Sequence, residues 1–194
     1  IDLIEDTEEF SEQKEYFKLL KQSNNKLSET ISHLNDTIDL QFTSKKRKTE
    51  INIQTEINTI LETFKEQIDF EKIKIELSIT KDLTVYTIPT YFESIISNLI
   101  SNAIKYKSPK RKLILKITAR KEKRKTLITV EDNGIGIDLI KNKDKIFGMY
   151  KTFHNNSDAI GLGLFMIKNK VNVLGGSIKV ESKINSGSLF KLVL

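Results

Sequence analysis

Three short segments carry the residue types from which chemistry could be built. In Asn98-Leu99-Ile100-Ser101-Asn102-Ala103-Ile104-Lys105-Tyr106 two amides stand four residues apart and a lysine follows one turn on, which puts all three on one helical face. In Glu131-Asp132-Asn133-Gly134-Ile135-Gly136-Ile137-Asp138 an apolar strand ends in an acid and a glycine turn, and in Gly161-Leu162-Gly163-Leu164 glycines open a helix. Two amides among apolar neighbours need partners, since an unpaired buried amide costs on the order of 1 to 3 kcal/mol. Backbone carbonyls would serve, and so would a hydrated Mg2+ with phosphate oxygens. Magnesium keeps several waters and takes one or two protein oxygens, so a single amide oxygen plus phosphates is an adequate set. Asp132 could cap the N–H groups of its own turn, or accept from an exocyclic amine such as that of adenine, with Gly134 and Gly136 letting backbone close on the ring. A helix opened by glycines either packs tightly on a sheet or offers free N–H groups and its dipole to phosphate. The third segment lacks the Gly-Lys-Ser/Thr ending of a Walker loop, and it does not follow the first strand of a parallel unit as a dinucleotide fingerprint would. Each segment is ambiguous alone; their order and spacing describe a nucleotide pocket.

The elements that must position these segments are readable from periodicity. From Ser11 to Leu40 there is no glycine or proline, and Phe10, Phe17, Leu20, Leu27, Ile31, Leu34 and Ile38 follow a heptad seam that wants a helical partner. Ile1-Asp2-Leu3-Ile4 reads as the last turn of a preceding helix, so residues 1–43 are expected to be part of a helical hairpin. The four consecutive basic residues after Ser44 mark a linker at 44–49. A short strand at Glu50–Ile53 is expected next, then a helix capped by Thr55 that buries Ile57, Ile60, Leu61, Phe64 and Ile68. Strands follow at Ile73–Ile79 and Leu83–Thr87, then a helix near Thr90–Tyr106 with Pro89 in its first turn, then a hairpin of Leu113–Ala119 and Thr126–Glu131. Asp138 to Ile160 has weak patterning, as a functional lid would. A helix from Gly161 to Leu174 is stopped by Gly175-Gly176, and Ser177–Val180 and Leu189–Val193 close the chain as strands. The predicted class is α+β: a two-layer sandwich with helices on one face of a mixed, mostly antiparallel sheet over 50–194.

Composition excludes several alternatives. The 194 residues include no cysteine and only two histidines, which removes disulfides and thiolate metal sites and makes a histidine zinc site improbable. No apolar run reaches the ~20 residues of a membrane helix, and the acidic start is unlike a signal peptide, so the expected setting is cytoplasmic, with the whole protein free to be membrane-attached. The formal charge is +6, concentrated between Lys105 and Lys125. No aromatic residue lies between Tyr106 and the end of that run to stack a base, so it is read as the solvated face of a hairpin and no nucleic-acid partner is expected. All eight glycines lie from Gly134 onward, where backbone must bend or approach something closely.

With these residues in view, the chain resembles the catalytic domain of sensor histidine kinases, within the GHKL superfamily that includes gyrase and MutL. Asn98–Tyr106 looks like the N box, Asp132–Ile137 the first glycine box, Ile146-Phe147 and Phe153 the F box, Gly161–Leu164 the second glycine box, and Gly187-Ser188-Leu189-Phe190 the closing strand. The resemblance implies a Bergerat ATP-binding fold over 50–194 that binds ATP or ADP with Mg2+. It implies that Asn102 ligates Mg2+, that Asn98 and Lys105 position phosphate, that Tyr106 lies on the adenine side, and that Asp132 receives the adenine amino group beside Gly134 and Gly136. Ile137 and Leu164 would line the pocket, Gly161, Leu162 and Gly163 would bring backbone to the phosphates, and Phe147, Lys151 and Ser188 would complete the site. A homodimer through residues 1–40 and a response regulator receiver domain are the implied partners.

The acceptor histidine of such kinases precedes the segment that Ile1–Ile4 resembles, so it is expected upstream of Ile1; His33 stands on the second helix without an adjacent acid. The family's second glycine box begins Gly-x-Gly-x-Gly, and Ala159 occupies its first position here. No arginine occurs after Asp132, so Lys151 or His154 would replace a lid arginine without its bidentate fork. A clamp ATPase of the superfamily would place a glutamate base where this chain has Asn98, and an amide cannot deprotonate water. A degenerate nucleotide-binding sensor without kinase activity is the third reading.

Overall fold

The computed structural model describes residues 47–142, 146–148 and 162–194, together with isolated helical positions between 13 and 31. Of the heptad seam, Phe17, Leu20, Leu27 and Ile31 are described; they are helical and exposed. The segment Ile1–Ile4, His33, residues 44–46 of the linker, and Lys151, Phe153, His154, Ala159 and Gly161 of the expected lid and second glycine box lie outside the described residues.

Alternation builds the sheet. In β4 (Ile114–Glu122) the residues Leu115, Ile117 and Ala119 are buried, and in β5 (Lys125–Asp132) they face Asp132, Val130 and Ile128 in antiparallel register. With β2 (Lys74–Ile79), β6 (Ser177–Lys183) and β7 (Gly187–Val193) these strands form a five-stranded sheet in the order β2-β4-β5-β7-β6. Only β2 and β4 pair in parallel; the other neighbours are antiparallel. A separate antiparallel pair joins β1 (Thr49–Asn52) to β3 (Thr84–Thr87). Same-face residues Val130 and Phe190, and Ile128 and Leu192, stack across β5 and β7, so one face of the sheet is apolar and the helices cover it.

The central helix α3 (Pro89–Lys105) has proline in its first turn and buries Tyr91, Phe92, Ile95, Ile96, Leu99, Ile100, Ala103 and Ile104. That stripe is wide because α3 packs against the sheet and against helices on both sides, α1 (Ile53–Thr63) and α5 (Gly163–Leu174). A short helix, α4 (Leu139–Asn142), follows β5. The architecture is the mixed, mostly antiparallel two-layer α+β arrangement expected from the sequence.

Three local expectations are corrected. Thr55 is not the cap of the first helix: Asn52 is, its Oδ1 accepting from Thr55 N at 3.0 Å, and α1 starts at Ile53. The helix expected to run through Ile68 is two helices, α1 and α2 (Lys65–Glu71), joined at Phe64. There Thr63 Oγ donates to the Ile60 carbonyl at 2.7 Å, while Phe64 N bonds Leu61 O at 3.0 Å instead of the carbonyl four residues back. The closing strands start at Ser177 and end at Val193 as expected, but β6 runs past Val180 to Lys183 and β7 begins at Gly187, before Leu189, because Ser182 and Ser188 pair across them. No described helix is long and apolar enough to cross a membrane.

Candidate nucleotide site

Strand alternation decides where Asp132 points. It is the last residue of β5, in register with Leu115 on one side and Ser188 on the other, so it shares the inward face with Val130 and Ile128. A carboxylate on the helix-covered face of a sheet is poorly solvated, and burial pushes Asp132 up to about 6. Backbone hydrogen bonds from Gly134 and Ser188 and the Arg111 charge pull the other way, while Glu131 adds to the rise. The Gly134 bond is 2.7 Å, N–H to Oδ1. This is the turn-capping role open to such an acid.

The glycine turn is docked on the end of α3. Ile135 N donates to the Tyr106 carbonyl at 2.9 Å, and a Cβ on Gly134 would collide with that same carbonyl and stand 2.8 Å from Asp132 Oδ1. Gly136 has φ +69 and is buried, so this turn tolerates side chains at neither glycine. Arg111 fixes the turn from outside: Nε donates to Asn133 O at 2.6 Å, and Nη2 to Gly134 O at 2.6 Å and to Asn185 O at 2.8 Å. Asn133 completes the brace by accepting from Ile114 N and donating to Lys112 O. On the far side Ser182 Oγ accepts from Ile137 N at 2.7 Å and sits 2.9 Å from Ser188 Oγ.

Farther up α3, Asn98 Nδ2 donates to the Ser94 carbonyl at 2.8 Å. A carbonyl only accepts, so the carboxamide must present its oxygen away from Ser94. That oxygen faces the start of α5: a Cβ on Gly163 would stand 3.6 Å from Asn98 Oδ1. The N-cap of α5 is Leu162, which has no polar side chain, and its first turn holds no acid; such a terminus leaves N–H donors for an outside anion. Asn102 is half-buried one turn beyond Asn98, and none of the described residues is bonded to its carboxamide. Asn98 stands eight residues before Tyr106, about 12 Å along the helix at ~1.5 Å per residue.

The structure therefore joins the first segment to the second through Tyr106 and to the third through Asn98. Ile137 is buried, Leu164 and Phe147 pack on the core while partly exposed, and Lys105 is exposed. Lys168 Nζ lies 5.9 Å from the centroid of the Phe147 ring. Gly163, not Gly161, is the first helical residue described. Arg111 and Ser182 were not among the sequence candidates: Arg111 is part of the basic run read as a solvated face, and nothing local to Ser182 signals a partner 45 residues earlier.

The fold is a two-layer α+β domain in which the three candidate segments meet along α3. Residues 87–194 match the family of histidine kinase-, DNA gyrase B-, and HSP90-like ATPases, and the chain belongs to that family. The sensor protein RprX of Bacteroides fragilis is 29% identical over 161 residues, covering 80% of this chain and 31% of RprX, so the chain spans under a third of that relative. The catalytic domain of histidine kinase ThkA, in a nucleotide-free form, superposes with a TM-score of 0.68 at 27% identity, covering 76% of this chain and 97% of that domain. ThkA in complex with the response regulator TrrA gives a TM-score of 0.70 at 25% identity, covering 88% of this chain and 48% of that one.

Proposed function

We propose that this chain is the ATP-binding core of a two-component sensor histidine kinase, positioning Mg-ATP for transfer of its γ-phosphoryl group to a histidine that lies outside residues 1–194. The observation that carries this reading is Asp132, a carboxylate on the inward face of β5 beside a glycine turn seated on the end of α3. In this reading its carboxylate accepts from the adenine amine, Gly134 and Gly136 bring backbone to the ring, and Ile137 and Leu164 line its faces. Tyr106 closes the adenine side.

Asn98, about 12 Å up α3 from Tyr106, and the start of α5 at Gly163 meet the phosphates, and Lys105 reaches them from the end of α3. Asn102 is the protein's oxygen ligand to Mg2+. The described residues hold no cluster of three His, Asp or Glu that could bind a metal by itself, so the ion relies on phosphate oxygens and water, a set that suits magnesium. Bound there, the ion would neutralise charge on the transferring group. Asn98 favours transfer over hydrolysis, because an amide cannot serve as a base toward water. Phe147, Lys151, Gly161, Leu162 and Ser188 complete the site.

The exposed apolar positions Phe17, Leu20, Leu27 and Ile31 support a homodimer through residues 1–40. The complex of ThkA with TrrA supports a response regulator as the partner that takes the phosphoryl group onward.

The test is phosphorylation of a longer form of the protein, including the residues before Ile1, by γ-labelled ATP. An acid-labile phosphoryl group on a histidine outside residues 1–194, lost with Asp132→Asn, is the expected result. Steady release of inorganic phosphate with no protein label would favour the clamp ATPase, and nucleotide binding with neither product would favour the degenerate sensor.

A further inference from the structure

The interface between α3 and α5 contains a charged residue that the nucleotide site as described does not use. Lys170 is 2% exposed. It lies two turns along α5 from Gly163, on the same helical face, and that face meets α3. Its Nζ donates to Ser94 Oγ and lies 5.9 Å from the centroid of the Tyr91 ring. Ser94 is also the residue that orients Asn98: its carbonyl accepts from Asn98 Nδ2 at 2.8 Å, and its hydroxyl lies 3.5 Å from the same nitrogen. Asn98 in turn faces the start of α5. Hydrogen bonds thus link Lys170, Ser94 and Asn98 across the two helices, with the ammonium at the buried end and the Asn98 oxygen facing Gly163.

A lysine is among the residues least often found fully buried, and desolvating its charge is costly. A methionine would fill the same length without that cost. The position of the charge is therefore informative. It lies behind the wall made by Asn98 and the α5 N-terminus, at the opposite end of the site from Asp132, and the low local dielectric lets it act over several ångströms. An anion held at that wall would feel the ammonium and the α5 dipole with the same sign.

We propose that Lys170 is a positioning residue for the phosphate end of the nucleotide site. Through Ser94 it fixes the Asn98 carboxamide, and its charge favours the nucleotide in proportion to the phosphates the nucleotide carries. This rests on the nucleotide-site reading above and adds a residue and a selectivity to it.

The experiment compares the protein with its Lys170→Met and Ser94→Ala variants by calorimetric titration with AMP, ADP and the β,γ-imido analogue of ATP, all with Mg2+. For Lys170→Met the expected loss is about tenfold or more for the triphosphate, smaller for ADP and absent for AMP, as a missing unit charge at this range implies. Ser94→Ala, which keeps the charge, should give a smaller loss for the triphosphate and none for AMP. Equal loss for all three nucleotides would mean that Lys170 merely supports the helix interface, and unchanged affinity for all three would mean that it does nothing for the site; either overturns the proposal. Thermal unfolding of both variants separates a folding defect from a binding one. Asp132→Asn titrated in parallel reports on the site itself: undiminished binding there would overturn the location of the nucleotide, and the role of Lys170 with it.

Discussion

Replacing Asp132 by asparagine should stabilise the protein while it damages nucleotide binding. The carboxyl sits on the apolar face of the sheet and ionises near pH 6, against about 3.9 for an unfolded aspartate. The folded-state value is the higher one, so the neutral form stabilises the fold. That stabilisation is fully present below about pH 4 and is lost as pH rises to about 6, above which the fold carries an ill-solvated charge. A shift near two units corresponds to about 3 kcal/mol, and since Asp132 keeps part of its solvent contact, about 2 kcal/mol is the expected gain for Asp132→Asn at pH 7.5. Asparagine can still accept from Gly134 N, so the turn is kept. On a chain of this size that is about 4 to 8 °C in Tm. Urea unfolding of the two proteins from pH 4 to 8 should show curves that coincide at the acid end and separate through pH 5 and 6. The same substitution should weaken ATP binding by about 10- to 100-fold, the scale of a lost charged hydrogen bond. In the parent, affinity should fall as pH drops through about 6, whereas in the variant it should be less dependent on pH. A variant less stable than the parent at pH 7.5 would refute the argument that the carboxylate is held at a cost for the ligand.

Arg111→Ala should loosen the glycine turn, costing about 1 to 3 kcal/mol in unfolding free energy and several-fold in nucleotide affinity. Arg111→Lys should not restore either, because one ammonium cannot reach three carbonyls in the arginine's planar geometry. Asn102→Ala should abolish the Mg2+-dependent part of ATP affinity while leaving metal-free binding unchanged, by titration with and without the ion. The exposed heptad positions should make the chain a dimer in sedimentation velocity, and charged substitutions at Leu20 and Leu27 should make it a monomer.

What the sequence revealed and what it hid follow from the range of the interactions. The strand pair β4–β5 and helix α3 were readable because alternation and the 3.6-residue stripe are local patterns, and Pro89 marks its own helix start. Asn52 was missed as a cap because it stands within an alternating run, and the break at Phe64 was missed because Leu61, Phe64 and Ile68 keep a helical spacing across it. Asp132, Asn98 and the glycines were candidates from type and order alone. Arg111 did not: one arginine in a basic run looks like any other, and its partners are more than 20 residues away. Lys170 was equally silent, since its burial depends on α3 and α5 packing together.

The central claim is that three separate segments close around one nucleotide. Hydrogen–deuterium exchange with and without the Mg-bound β,γ-imido analogue of ATP tests it most directly. Slowed exchange is expected together in 98–106, 131–138 and 161–166, with the exposed outer strand positions of β2 and β6 unchanged. Protection confined to one segment, or absent from all three at saturating nucleotide, would contradict it.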